Sequence, residues 1–86
     1  MPVGTNTIQQ KYNVGDMIVI PGVNKVGVII SVKKYVRTYQ YTIFWQYKDG
    51  ERETVYNTPQ GTIDMWLSKK EGKGKDNPNY YIPVPK

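Results

Sequence analysis

The chain contains no cysteine and no histidine. Without cysteine it has no disulfide and no thiolate for catalysis or metal binding. Without histidine the usual general base and the commonest zinc ligand are both missing. The sequence also has no phosphate-binding loop, no nucleophile–base arrangement and no paired carboxylates in a cleft. These absences predict a protein that is not an enzyme, uses no cofactor or metal, and takes no small-molecule substrate.

Long apolar runs are absent too, so the sequence predicts no membrane span. The N-terminal segment MPVGTNTIQQ has no basic region followed by a hydrophobic stretch, which argues against a secretion signal. Twelve Lys and Arg against seven Asp and Glu leave a formal net charge of +5. That charge permits contact with nucleic acid, an anionic membrane or an acidic protein surface, and selects none of them. The expected location is the cytosol or a particle assembled there.

Aromatic residues are what the chain has in quantity. Its 86 residues include eight Tyr, two Trp and one Phe. A domain of this size has a marginal core, and large rings bury much area per residue. We therefore expect a single small domain whose core is built on aromatic side chains.

The most informative stretch is YQYTIFWQYKDGERETVY, residues 39–56. Alternating side chains flank Asp49-Gly50, a pair that favours a two-residue type I′ hairpin turn. That turn predicts three cross-strand pairs: Trp45 with Thr54, Phe44 with Val55, and Tyr47 with Arg52. The alternation places Tyr39, Tyr41, Ile43, Trp45 and Tyr47 together on the core-facing side of the first strand.

Two strands precede this hairpin, one in MIVI and one in VGVIISV. In the second, Val26, Val28, Ile30 and Val32 share one face. The expected core combines Val19, Val28 and Ile30 with Tyr41, Ile43 and Trp45. Gly27 is interpreted as a position where a bulky ring or another backbone comes close.

After the hairpin, Thr62 is a candidate N-cap, and the spacing of Ile63, Trp66 and Leu67 predicts a short helix over residues 63–71. A fifth strand over residues 63–67 is the competing assignment. The predicted organisation is an N-terminal arm over residues 1–13, a β-barrel over residues 14–71 and a C-terminal arm over residues 72–86.

Val14-Gly15-Asp16, Pro21-Gly22, Gly27-Val28-Ile29 and the aromatic strand ending in Asp49-Gly50 together resemble an SH3-like barrel. The pattern is similar to the KOW and Tudor branches and to small phage-encoded SH3-like proteins. The resemblance implies an all-β fold: a small SH3-like barrel of four to five strands with one short helical turn and extended N- and C-terminal arms. Two departures stand out. The stretch between Gly22 and Gly27 is shorter than in RNA-binding KOW proteins, and no acidic residue is placed to complete a Tudor-type cage with Tyr47 and Tyr56.

The resemblance favours a non-catalytic protein-binding module. Its most concrete form is an accessory structural subunit of a phage particle, of the capsid cement, decoration or connector type, found in the virion or the host cytoplasm. Such a subunit would dock on a larger assembly through its barrel surface and its arms. The expected partner-binding residues are Ile8, Tyr80, Tyr81 and Ile82.

The alternative is a KOW-like nucleic-acid-binding domain that uses basic loops and exposed tyrosines. Its expected contacts are Lys33, Lys34, Tyr35, Arg37, Tyr39, Lys69 and Lys70. A related hypothesis makes Tyr39, Tyr47 and Tyr56 a platform on which bases stack. Tyr47 is alternatively expected to be covered by Arg52 across the strands.

Overall fold

The computed structural model describes residues 9–68 and 79–85. The elements run β1 (Met17–Ile20), a 3-10 turn (Pro21–Val23), β2 (Lys25–Tyr35), β3 (Thr38–Tyr47), β4 (Arg52–Pro59), α1 (Gln60–Ser68) and β5 (Tyr80–Ile82). All strand pairs are antiparallel, and they form one five-stranded sheet in the order β4-β3-β2-β1-β5. The predicted small all-β, barrel-like fold with a short helix is confirmed.

The turn between β3 and β4 differs from the predicted one. Only Gly50 has a positive φ, of 98°, whereas a type I′ turn needs Asp49 there as well. The Tyr47 N–H donates to the Glu51 carbonyl and the Gly50 N–H donates to the Tyr47 carbonyl. This is a three-residue loop that closes with a glycine bulge.

The longer loop shifts the register of β4 by one residue. Trp45 lies opposite Glu53 and Phe44 opposite Thr54, so the predicted pairs with Thr54, Val55 and Arg52 are wrong. A one-residue shift exchanges the two faces of a strand. Here it puts Val55 opposite Ile43, on the core side of the sheet.

The faces of β2 are also the reverse of the prediction. Gly27 and Ile29 face the core, while Ile30 is 49% exposed. A bulge between Ile29 and Ser31 then inserts one residue, so that Val32 also packs against the core. The bulge breaks the period of two that the sequence pattern assumed. Val19 and Val28 are likewise only half-buried, and β1 contributes Ile18 to the core.

A second bulge lies in β4. Tyr41 pairs with Thr58 and Ile43 pairs with Val55, so β4 has one more residue than β3 between these pairs. Asn57 takes up the extra residue with a φ of 56°. Bulges bend strands and increase their twist. The two bulges therefore curve the sheet around its aromatic side.

The core is assembled mainly by β3 and closed by α1. Tyr41, Ile43 and Trp45 are essentially inaccessible to solvent, as predicted. The helix settles the assignment of residues 63–67, and it begins at Gln60 rather than after Thr62. It buries Ile63 and sets Trp66 edge-on against Trp45, with the ring centroids 5.7 Å apart. The predicted end of the helix at residue 71 lies outside the described residues.

The described parts of both predicted arms belong to the domain. Tyr12 is 5% exposed and belongs to the core cluster. β5 pairs with β1, and Tyr81 lies opposite Ile18 on the core side. The sheet is therefore completed by a segment that the sequence assigned to a separate arm.

Candidate functional site

Three tyrosines, of which Tyr12 and Tyr41 are buried and Tyr81 is half-buried, join the segment before β1 and strand β5 to the rest of the sheet. The Tyr12 ring packs edge-on against Tyr41, with centroids 5.6 Å apart, and against Tyr81 at 5.2 Å. Each hydroxyl has a partner: Tyr12 donates to Asp64, Tyr41 to Gln60, and Tyr81 to Asp16. Buried polar groups are costly unless satisfied, so this cluster is stable only when all three contacts form.

Asp16 is the central acceptor of this cluster. Its side chain is fully buried and accepts hydrogen bonds from the Asn13 N–H at 2.8 Å and the Val84 N–H at 2.8 Å. The third donor is the Tyr81 hydroxyl. One carboxylate thus connects the segment before β1 with the segment after β5.

Gln60 has the same role on the opposite side of Tyr12. Its Oε1 accepts from the Lys11 N–H at 3.0 Å and from the Tyr41 hydroxyl, and its Nε2 donates to the Gln9 carbonyl at 2.9 Å. The neighbouring ion pair between Lys11 and Asp64, 3.1 Å long, is solvent-exposed and adds little stability.

The environment of these phenols keeps them protonated. Burial is the main reason that the pKa of Tyr12 is raised, and its hydrogen bond to Asp64 adds to the effect. Burial and then the bond to Asp16 raise the pKa of Tyr81 to about 12. Burial also raises the pKa of Tyr41. A protonated phenol can donate a hydrogen bond, and each of these three donates to an acceptor held in place by the fold. The cluster therefore has a structural role.

Metal-ligand clusters and membrane-spanning helices would indicate other functions for the described part of the chain. Within residues 9–68 and 79–85, no group of three or more Asp, Glu, His or Cys side chains is placed to hold a metal ion. No helix in the same ranges is long and apolar enough to cross a bilayer.

The cation next to Tyr47 is not the predicted one. The ammonium of Lys25 lies 4.3 Å from the centroid of the Trp45 ring and 5.5 Å from that of Tyr47, where Arg52 was predicted. The Tyr47 hydroxyl donates to Glu53 at 2.9 Å. Lys25 and Tyr47 also line a shallow depression of about 460 Å³.

The proposed platform of Tyr39, Tyr47 and Tyr56 does not form. Tyr39 and Tyr47 lie near opposite ends of β3, and the ring of Tyr56 is 68% exposed on the edge strand β4. Successive bases stack on rings that are neighbours. These three rings are too far apart along the sheet to act together.

The side of the sheet away from the core is unexpectedly apolar. Residues directly opposite each other in antiparallel strands point to the same side. One row across the strands is therefore Ile82, Met17, Val28, Phe44 and Thr54, and the next is Tyr80, Val19, Val26, Gln46 and Arg52. We call its apolar members, with the bulge residue beside them, the outer face: Met17, Val19, Val26, Val28, Ile30, Phe44, Tyr80 and Ile82.

Solvent reaches every member of the outer face. Ile30 and Tyr80 are each 49% exposed and Ile82 is 41% exposed, and the others are half-buried by their neighbours. The only charged side chain in the two rows is Arg52, at the β4 edge. The predicted partner-binding residues Tyr80 and Ile82 lie on this face, whereas Tyr81 points into the core.

The sequence carries a signal for this face in addition to the alternation of its side chains. MIVI and VGVII are continuous apolar runs, which are typical of strands covered on both sides. Val26 shares a face with Val28 and Ile30, which the alternation assigns to the core, and Phe44 is assigned to the mostly polar face of its strand. Neither residue is therefore a predicted binding candidate. The runs predict that something covers the second side.

Most of the predicted nucleic-acid contacts lie together in the β2–β3 hairpin. Lys33, Lys34, Tyr35, Arg37 and Tyr39 all lie in the hairpin formed by β2 and β3. Lys33 and Lys34 pair with Gln40 and Tyr39, respectively. Three other candidates, Ile8, Lys69 and Lys70, lie outside the described residues.

Comparison of the chain with protein-family models, curated proteins and solved structures gave no match.

Proposed function

We propose that the protein is a non-catalytic, SH3-like binding module that docks on protein through the outer face. One observation carries the proposal: the outer face gathers apolar side chains from β5, β1, β2 and β3 on the solvent side of the sheet, without a charge among them. The bent five-stranded sheet and its short helix support the SH3-like comparison at the level of the fold.

The size of the outer face suits the centre of an interface. At about 4.8 Å between strands and about 7 Å between rows, it covers on the order of 300 Å². Patches of about this size on a small monomer are often functional. A standard interface buries about 800 Å² on each partner, with an apolar centre and a polar rim. Gln46, Thr54 and Arg52 lie where such a rim begins.

The partner that fits this surface most simply is a second copy of the chain. In a two-fold contact each residue meets the same surface again, so a charge near the axis would face its own kind. The outer face has no such charge, although the chain as a whole carries +5. Two sheets then pack face to face about 10 Å apart, as in a sandwich.

The concrete form of this proposal is an accessory structural subunit of a phage particle, where copies of one chain contact each other within a larger assembly. That form depends on the resemblance to small phage-encoded SH3-like proteins. In such a subunit the predicted partner-binding residues Tyr80 and Ile82 would contact the neighbouring copy as part of the outer face.

The test is self-association measured by sedimentation equilibrium. A double variant, Ile30→Glu with Ile82→Glu, places two charges on residues that are already 49% and 41% exposed, so the folded monomer should tolerate them. The matched control is Val36→Glu, at a residue that is 80% exposed and lies at the tip of the β2–β3 hairpin. The proposal expects the double variant alone to lose association.

A further inference from the structure

The hairpin of β2 and β3 extends beyond the rest of the sheet. β1 pairs with β2 only as far as Val28, and β4 pairs with β3 only as far as Gln40. The pairs Lys34–Tyr39 and Tyr35–Thr38 therefore form a two-stranded ribbon that continues past the other strands, and Lys33–Gln40 lies at its base, beside Pro59 of β4. We call residues 33–40 the ribbon.

The ribbon is basic, and so is the sheet that supports it. Between Met17 and Lys48 the sequence contains no Asp or Glu. Three cations, Lys33, Lys34 and Arg37, lie within the ribbon, and all three are exposed. Asp64 lines a depression together with Thr38, and its carboxylate pairs with Lys11.

The tip of the ribbon is apolar and strained. Val36 has a φ of 50° and is 80% exposed. A β-branched residue in this left-handed region costs on the order of 1–3 kcal/mol, and such strain tends to persist at functional positions. An exposed valine flanked by Tyr35 and Arg37 suits contact with both an apolar group and a phosphate.

From these observations we infer that the ribbon is a nucleic-acid-binding element that enters the major groove of B-form duplex DNA. The two residue pairs beyond β4 project by about 7 Å, at about 3.4 Å per residue. The major groove is about 8.5 Å deep and about 12 Å wide, and it admits a two-stranded ribbon. The minor groove, about 6 Å wide, is too narrow.

The side chains suit what the major groove presents. Lys33 and Arg37 can contact phosphates or guanine, and the amide of Gln40 matches adenine. Val36 can contact a thymine methyl group, which lies in the same groove.

Two other nucleic acids fit less well. Tyr35 pairs with Thr38 and Tyr39 with Lys34, so the two rings point to opposite sides of the ribbon and make no continuous surface for a single strand. Double-stranded RNA has a deep, narrow major groove that side chains cannot enter. Duplex DNA is therefore the ligand that the geometry favours.

The test is fluorescence anisotropy with a random-sequence DNA duplex, a matching single strand and a matching RNA duplex. The ribbon variant is Lys33→Gln with Arg37→Gln. The control, Lys25→Gln with Lys48→Gln, removes the same charge at the opposite end of β3. Circular dichroism checks that both variants are folded.

The expected result is DNA-duplex affinity at least tenfold above that for the other probes. Losing two phosphate contacts should weaken it roughly 50-fold at 0.1 M salt and lower the salt slope by about 2. The control should change affinity less than threefold. Equal or tighter binding to single strands or RNA overturns the inference, as does an equal loss in the control or no binding at all. These outcomes do not bear on the outer face, which uses other residues.

Discussion

Gly27 lies directly beneath the indole ring of Trp45. A Cβ atom added to Gly27 would come within 2.7 Å of Trp45 Cε3 and within 2.7 Å of Ile43 Cγ2. Real Cβ contacts are not this short, so the ring and the neighbouring strand occupy space that only glycine leaves free. The position of Trp45 in the core therefore depends on a missing side chain in β2.

Gly27→Ala should destabilise the domain by about 1–3 kcal/mol, because overpacking displaces Trp45 and Ile43. Gly22→Ala is the matched control, since a Cβ there meets nothing within 4 Å. Urea denaturation of both variants measures the difference. Equal stabilities of the two variants would show that the core accommodates a Cβ at Gly27 without loss of stability, and would contradict the close packing described here.

The close approach at Gly27 and the core face of β3 were predicted from the sequence, but Trp45 as the neighbour of Gly27 and the faces of β2 were not. A glycine opposite a strand of large rings indicates close approach, and the alternation in β3 correctly selected Tyr41, Ile43 and Trp45. The bulge at Ile30 has no glycine, proline or asparagine to mark it. Period-two reasoning therefore assigned the wrong face to Val28 and to its neighbours in β2.

The loop at Asp49-Gly50 was identified, but its length was not. Asp-Gly fits a two-residue turn and also the end of a three-residue loop, in which Gly50 alone takes a positive φ. The burial of Tyr12 and Tyr81 was equally hidden, because it depends on Asp16 and on residues far away in the chain. Local pattern carries no information about such distant partners.

Asp16→Ala should lower stability by about 3 kcal/mol, because it leaves three partly buried donors without their acceptor. The C-terminal segment loses two of its contacts at once. Chemical denaturation gives the stability. Limited proteolysis should show faster cleavage after β5 than in Asp49→Ala, whose carboxylate accepts only a turn N–H. Stability within about 1 kcal/mol of wild type would contradict the role of Asp16.

Stability should fall at alkaline pH. The folded-state pKa of Tyr81 is about 12, above the ordinary tyrosine value of about 10. Its contribution is therefore complete below about pH 10 and is lost as the pH rises toward 12. The pKa of Tyr12 is also raised, mainly by burial.

The measurement is the free energy of unfolding between pH 8 and 12 for wild type and Tyr81→Phe. The variant should be less stable near neutral pH, since Asp16 loses a donor, and its stability should fall less steeply above pH 10. Parallel curves for the two proteins would show that Tyr81 does not contribute to the alkaline loss.

Val36→Asn should stabilise the domain by about 1 kcal/mol, because asparagine tolerates a positive φ that valine does not. Thermal denaturation should show a higher Tm for this variant. The control is Val23→Asn, at an exposed valine whose φ is not positive, and its Tm should not rise. A lower Tm for Val36→Asn would mean that the valine side chain contributes to the fold. If the ribbon binds DNA, the same variant should bind more weakly despite its greater stability.

The central claim is that the outer face is covered by protein, and the most direct test is sedimentation equilibrium of the wild type from about 5 to about 200 μM. The account predicts a concentration-dependent dimer or larger species. Association should be weakened at least about 30-fold by Ile30→Glu with Ile82→Glu, since unpaired charges are costly to bury. Val36→Glu should leave it unchanged. A wild type that remains monomeric over the whole range, or a double variant that associates as tightly, would contradict it.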